Sequence, residues 1–319
     1  MHKNITTEEY NKLVNLAGRV AIASASLLII IKLIAWIMTG STSILAALTD
    51  SLMDVTTSII NLLAIKVALQ PADDDHRFGH GKAESLAGLS QAAFISGSAV
   101  FLMFNSISAL VNGKHVIASE TGIVVMVFSV LITLLLVAFQ SYIVKKTGSL
   151  AIKADSVHYR TDIALNGAVL LALILAEYGF YWADGVFAIA VSLYILVGAW
   201  EIGSQSINAL MDKQLPKSEE DKIVKIAYGI DGVHGVHDLR TRQSGNTKFM
   251  QLHLELDDDL NLYEAHEKAE LLEVELNKIF TDIDLLVHLD PVSVVPIEKH
   301  KNNKPFFETE SVYITGDNK

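Results

Sequence analysis

The chain has 319 residues, 51% of them hydrophobic, and a mean hydropathy of +0.37, which is too apolar for an ordinary soluble protein. A formal net charge of −11 does not provide the basic surface that nucleic-acid phosphates require, and the absence of cysteine excludes disulfides, thiolate zinc sites and dithiol redox motifs. Residues 1–210 carry 12 Lys/Arg against 14 Asp/Glu and residues 211–319 carry 13 against 22, so a membrane part followed by an acidic soluble part is predicted. Any metal must then bind through His and carboxylate, and the acidity favours cations.

The first segment, Met1 to Lys12, is polar and contains Glu8 and Glu9, which does not resemble a cleavable signal peptide. Six apolar segments of spanning length follow, at 16–38, 43–69, 85–111, 117–144, 150–177 and 184–209. Met38-Thr39-Gly40-Ser41-Thr42 and Asn112-Gly113-Lys114-His115 read as polar turns, and Ala183-Asp184-Gly185 opens the sixth span. Lys/Arg in the short loops set the orientation. Lys3, Lys12, Arg19, Lys66, Arg77, Lys82, Lys145, Lys146 and Lys153 all fall on one side and Lys114 alone on the other, which places both termini in the cytoplasm.

The second and fifth spans hold carboxylates where these are expensive. Asp50 and Asp54 stand at i and i+4, as do His158 and Asp162, so each pair projects from one helical face about 6 Å apart along the axis. Two such helices packed face to face offer three carboxylates and an imidazole, a small-divalent-cation site for which zinc is the first metal to consider. Asp50-Ser51 with Asn61 is matched by Asp155-Ser156 with Asn166, consistent with a three-helix repeat whose halves meet at the site. Asp155 shares the His158 face, but i,i+4 spacing favours Asp162 and leaves Asp155 to cap or to steer ions at the cytoplasmic mouth. Lys32 and Glu201 read as snorkelling or paired with a neighbouring helix. Gly79, Gly81, Gly88 and Gly97, with nearby serines, give the third span small-residue surfaces suited to a dimer contact.

In the second loop, Asp73, His76 and His80 are spaced as three ligands on a short connection running into a helix. From Leu215 the pattern becomes an α-β-β-α-β domain: helix 217–229, strand 233–243, turn Ser244-Gly245-Asn246, strand 247–257, helix 261–280 and strand 283–290. That order suits half of a ferredoxin-like fold. Alternation puts His253 on the polar face with Gln251 and Glu255, and His288 on one face with Asp290. With His237 and His266, these residues are candidates for an exposed metal cluster. Residues 296–319 lack periodicity and read as a disordered tail. The predicted division is 1–15 cytoplasmic segment, 16–210 six-helix transmembrane domain, 211–295 cytoplasmic metal-binding domain and 296–319 tail.

Five motifs in order carry a family resemblance: Leu48-Thr49-Asp50-Ser51 with Asp54; Phe78-Gly79-His80-Gly81-Lys82-Ala83-Glu84; Asp155-Ser156-Val157-His158-Tyr159 with Asp162; His237-Asp238-Leu239-Arg240-Thr241-Arg242; and His288-Leu289-Asp290-Pro291. Over residues 10–296 the chain resembles the cation diffusion facilitator family, close to a bacterial zinc-transporting branch. The resemblance implies a homodimer of six-helix subunits with a metallochaperone-like cytoplasmic domain, in the bacterial cytoplasmic membrane, exporting divalent metal in exchange for protons. It further implies a transport site of Asp50, Asp54, His158 and Asp162, and a loop site of Asp73, His76 and His80. A binuclear cytoplasmic site would use His237, His253, His266, His288 and Asp290, and Lys82 and Asp212 would form a salt bridge between subunits. Leu289 stands where a polar residue is common. Zn2+ is the expected cargo and regulatory ligand, with Cd2+ and Fe2+ also carried and no organic cofactor.

An imidazole, with an ordinary pKa of about 6.5, exchanges a proton for metal near neutral pH, and that reciprocity couples the two fluxes when the site faces one side at a time. One imidazole also favours zinc and cadmium over manganese. An intramembrane metalloenzyme would need a general base beside its metal, usually on a His-Glu-x-x-His helix, and no such motif is present. A non-transporting metal receptor, and Fe2+, Co2+, Ni2+ or Mn2+ as main cargo, stay open at the level of sequence.

Overall fold

The computed structural model describes residues 6–39, 42–112, 120–178, 180 and 182–295, and separates into two units, 1–211 and 212–319. The turns expected at 40–41 and 113–115 and the tail expected from 296 lie outside the described residues.

Unit 1 contains six long helices: α1 (Thr7–Thr39), α2 (Thr42–Ala68), α3 (Lys82–Asn112), α4 (Glu120–Thr147), α5 (Leu150–Glu177) and α6 (Ala183–Leu210). Five of these have described stretches long and apolar enough to cross a membrane; α5 does not. The reason is visible in its sequence, where Lys153, Asp155, His158, Arg160 and Asp162 lie within ten residues. Helix α1 starts nine residues before the predicted span because its first turn is held by polar devices that hydropathy ignores. Thr6 Oγ1 accepts from Glu9 N at 3.2 Å, Glu8 and Glu9 face the positive end of the helix dipole, and Glu8 pairs with Lys12 at i,i+4.

Within this unit α3 packs along α6, α1 along α2 and α4, and α5 against α4 and α6. The α4–α5 connection is tight. Gly148, at φ 70, takes the left-handed conformation after α4 and its N–H reaches Val144 O at 2.8 Å, a helix-terminating geometry that an L side chain resists. The start of α5 is fixed by Glu84 of α3, a buried carboxylate. It accepts from Ala151 N at 3.2 Å, from Ser149 Oγ and, at 2.9 Å, from Tyr10 OH of α1. A carboxylate at a helix N-terminus offsets the dipole there and satisfies an otherwise orphaned N–H.

Unit 2 is an open-faced sandwich of α7 (Lys217–Tyr228), β1 (Val233–Ser244), β2 (Thr247–Leu256), α8 (Leu262–Asn277) and β3 (Ile283–Pro291). The sheet order is β1-β2-β3, with β1 antiparallel and β3 parallel to β2. Alternation on β2 sends Met250, Leu252, Leu254 and Leu256 into a core with Ile223 and Ala227 of α7 and Leu272 and Leu276 of α8. Each of the Met, Leu and Ile side chains contributes roughly 1.5–3 kcal/mol by leaving water. A capping box fixes the start of α8: Asn261 accepts from Tyr263 N and Glu264 N, and Glu264 reaches back to Asn261 N. The opposite face of β2 carries Phe249 and then the polar run Gln251, His253 and Glu255.

Candidate functional site

Three clusters of potential metal ligands occur among the described residues; one coincides with the whole of a set named from sequence and the other two with part of one. The first lies between α2 and α5. Asp54 projects from α2, and His158 and Asp162 project from successive turns of α5. His158 Nε2 is 3.1 Å from Asp54 Oδ1, and one ligand atom from each of the three residues falls within 4.8 Å of the others. Ligand atoms around a tetrahedral zinc ion stand about 3.3 Å apart, so only a small closing of the side chains is needed. The pair α2–α5 is pinned beside the cluster by a buried hydrogen bond between Ser58 Oγ and Tyr159 OH at 2.9 Å. A cavity of about 300 Å³ opens on these ligands, lined also by Lys32, Ser98, Ser129, Thr133 and Asn166. Asp50 sits on α2 one turn before Asp54, and its side chain lies outside the described residues.

Asp155 does not stand at a mouth. It is wholly buried against α4, where Gln140 Nε2 donates to its Oδ2 at 2.6 Å. The expectation that it caps a helix or steers ions therefore gives way to a packing role, because Gln140 turns it away from solvent. The two asparagines equated in the repeat also differ in use: Asn61 donates to Ala151 O across to α5, whereas Asn166 donates to Asp162 O on its own helix. Glu201 is paired, accepting from Lys153 at 2.8 Å.

The second cluster is in the α2–α3 loop. Asp73 Oδ1 accepts from the backbone of Asp75 at 3.0 Å and of His76 at 2.6 Å, an Asx-type turn that folds the loop back on itself. His76 Nδ1 and His80 Nε2 each lie 3.4 Å from an Asp73 oxygen. The His76 amide, more than either imidazole, holds the Asp73 carboxyl below its ordinary value of 3.8. His80 Nδ1 faces Pro71 O at 3.2 Å, a contact that fixes this nitrogen as the donor and directs Nε2 at Asp73.

The third cluster occupies the polar face of the unit 2 sheet, where register places His237 opposite His253 and His253 beside His288. The ring centroids are 4.8 Å and 4.5 Å apart. Asp290 joins all three: its Oδ2 is 3.3 Å from His237 Nε2 and 2.7 Å from His253 Nδ1, and its Oδ1 is 3.1 Å from His288 Nε2. One carboxylate oxygen thus faces two imidazoles and the other a third, and one ligand atom each from His237, His253 and Asp290 falls within 4.8 Å of the others. A bulge between His237 and Arg240, with Asp238 at φ 50, re-aims the strand immediately after His237.

Glu255 completes this cluster and had no role in the sequence reading beyond sharing the face of His253. It is buried, and its Oε1 accepts from His237 Nδ1 at 2.8 Å, which turns Nε2 toward Asp290. Its carboxylate lies over Gly235, where any Cβ would collide with it. The signal available in sequence was the period-two repeat of His253 and Glu255, with a glycine two residues before His237. His266, on α8, is exposed and within 3.4 Å of Glu270, and it is not among the residues gathered here. His234 pairs with Asp257 at 2.6 Å. In unit 1 Lys82 donates to Leu210 O at 3.3 Å, and in unit 2 Asp212 accepts from Arg242 at 3.4 Å.

Two family models match the chain: a cation efflux transmembrane domain over residues 19–211 and a cation efflux protein cytoplasmic domain over residues 215–292. Among curated relatives, the cation-efflux pump FieF of Shigella boydii serotype 18 is 47% identical over 291 residues, covering 91% of this chain and 97% of that protein. FieF of Salmonella schwarzengrund is 48% identical over 294 residues, covering 92% and 98%. Among solved structures, CzrB in its Zn form is 29% identical with a TM-score of 0.24, covering 27% of this chain and 98% of that one. The metal-bound C-terminal domain of the CzcD transporter from Thermotoga maritima is 27% identical with a TM-score of 0.24, covering 26% and 100%.

Proposed function

We propose a specific activity for this chain from the premise that it belongs to the cation diffusion facilitator family, and is therefore a multi-pass membrane transporter for the efflux of metal cations and not an enzyme. It exports Zn2+, with Cd2+ and Fe2+ as further cargo, from the bacterial cytoplasm in exchange for protons, by alternating access. Both termini and the domain from residue 211 face the cytoplasm, and the working unit is a homodimer.

The observation that carries this reading is the convergence of Asp54, His158 and Asp162 from two helices onto one cavity. Asp50, one turn from Asp54, supplies the fourth ligand. A mixed nitrogen–oxygen set suits zinc better than the all-oxygen sets that satisfy magnesium or manganese. Because each ligand must lose its proton to bind metal, protonation from the far side expels the ion, and metal arriving from the near side expels protons.

Asp73, His76 and His80 form a loop site at the end of α2. The cluster of His237, His253, His288 and Asp290 takes two zinc ions and senses cytoplasmic metal. Its donors fit: two carboxylate oxygens and three imidazoles converge, and Glu255 orients one of the rings. His266 reaches such a cluster from a second copy of the chain, and Lys82 and Asp212 pair across the same dimer. Metal at this site biases the membrane helices by binding one conformation better than the other.

The test is zinc flux into proteoliposomes under an imposed pH gradient, comparing wild type with Asp54→Ala and repeating the wild-type assay with Cd2+, Fe2+ and Mn2+. Gradient-dependent zinc flux that disappears in the variant is the expected result. Zinc binding without flux in the wild type overturns the transport reading.

A further inference from the structure

Lys32 is the one charged residue in the second half of α1, thirteen residues or about 20 Å along the axis from Arg19. It does not snorkel out of the span. Its Nζ turns to α2, donating to Ser51 Oγ at 2.7 Å and Ala47 O at 3.1 Å. Ala47, Ser51 and Asp54 stand at i, i+4 and i+7, so the ammonium is fixed to the face of α2 that carries a transport ligand. Lys32 also lines the cavity that opens on Asp54, His158 and Asp162. Ser129, which lines the same cavity, contributes a buried hydroxyl that has no protein partner among the described residues, a polar atom suited to bound water.

Packing does not explain a charge here. Ala47 O already lies within the hydrogen-bonded ladder of α2, and an apolar residue of similar length would fill the position at lower cost in hydrocarbon. What an ammonium adds is a positive charge tethered to the helix. An ammonium has no lone pair and cannot ligate a metal, but it repels a divalent ion entering the same low-dielectric space and attracts the carboxylates when that ion is gone.

Resting on the transport reading above, we propose that Lys32 is the resident counter-cation of the transport cavity. Between cycles it balances part of the carboxylate charge, and during a cycle it weakens the hold on the divalent cargo so that the ion leaves. Transport needs such a limit, since a site that binds too tightly does not turn over.

The experiment is equilibrium zinc binding to the full chain in detergent, with the other two clusters removed by Asp73→Ala, His237→Ala and Asp290→Ala. In that background Lys32→Met and Lys32→Gln are expected to bind zinc at least ten-fold more tightly, and in the otherwise wild-type chain to lower the maximal flux in proteoliposomes. Lys32→Arg, which keeps the charge, is expected to restore affinity to within three-fold of the parent. Should the Met variant not fold, the Gln variant, which keeps hydrogen-bonding capacity, carries the same test. A lysine that merely tied α1 to α2 would predict weaker binding on its removal, so affinity unchanged or reduced in a well-folded Met or Gln variant overturns the proposal. Asp54→Ala in the same background must abolish this binding; if it does not, the assignment of the cavity fails, and the role of Lys32 falls with it.

Discussion

Glu255→Gln offers a sharp test of how the cytoplasmic cluster is built. The substitution keeps the side chain's size and an oxygen able to accept from His237 Nδ1, but removes the buried negative charge 2.8 Å from that nitrogen. Loss of a carboxylate behind a ligating imidazole costs roughly 10–100-fold in metal affinity, or about 1.4–2.7 kcal/mol. Glutamine retains the hydrogen bond, so the expected loss is toward the lower end, about ten-fold. Gly235→Ala should do more, because the new methyl collides with the Glu255 carboxylate and pushes it off the ring altogether. Zinc titration of the full chain by calorimetry, in an Asp54→Ala and Asp73→Ala background, isolates this cluster. Wild-type affinity in both variants would refute the idea that Glu255 sets the basicity and tautomer of His237.

Three other outcomes are expected. His158→Asp converts the transport cluster to oxygen ligands alone, and competition flux should show zinc losing at least ten-fold in preference to manganese; unchanged selectivity would sink the argument from the single imidazole. Tyr159→Phe leaves the buried Ser58 hydroxyl without its 2.9 Å partner, and should destabilise the protein by about 1–2 kcal/mol, read as a lowered midpoint in scanning fluorimetry. For the loop, the Asp73 carboxyl is held below 3.8 chiefly by the His76 amide, so the turn's stabilisation is complete above the unfolded value and drains away only as pH falls through the lower folded one. The His76 amide resonance should therefore titrate with a midpoint below 3.8, and a midpoint at or above that value would contradict the hydrogen bond.

Much of this architecture was legible because the signals were periodic. Strand alternation at 247–257 placed His253 on the polar face, and the i,i+4 spacing of His158 and Asp162 anticipated the cluster against Asp54. What escaped were features set by partners far away in sequence. The helical start at Thr7 depends on a side-chain cap outside the apolar run, and the role of Glu255 depends on a residue eighteen positions earlier across an antiparallel pair. His237 is more buried than scattered surface histidines would be, because the same pairing tucks it beneath Glu255 and Asp290.

Helix α5 shows why ligand spacing alone left Asp155 and Asp162 ambiguous. Both lie on the face of His158, one turn before it and one turn after. The difference comes from neighbouring helices. Gln140 of α4 donates to Asp155, Ser141 of α4 accepts from Arg160 at 2.9 Å, and Glu201 and Gln205 of α6 accept from Lys153 at 2.8 and 2.9 Å. Each of these residues has a polar partner on a neighbouring helix, which offsets part of the cost of carrying its charge into an apolar bundle. His158 and Asp162 are different, because the group they face on α2 is Asp54, another potential ligand. Three potential ligands from two helices thus gather on one cavity. The ionisable residues of α5 thus divide into those turned to polar side chains of α4 and α6 and those turned to Asp54 of α2, and the second set is the one on which the proposed transport site rests.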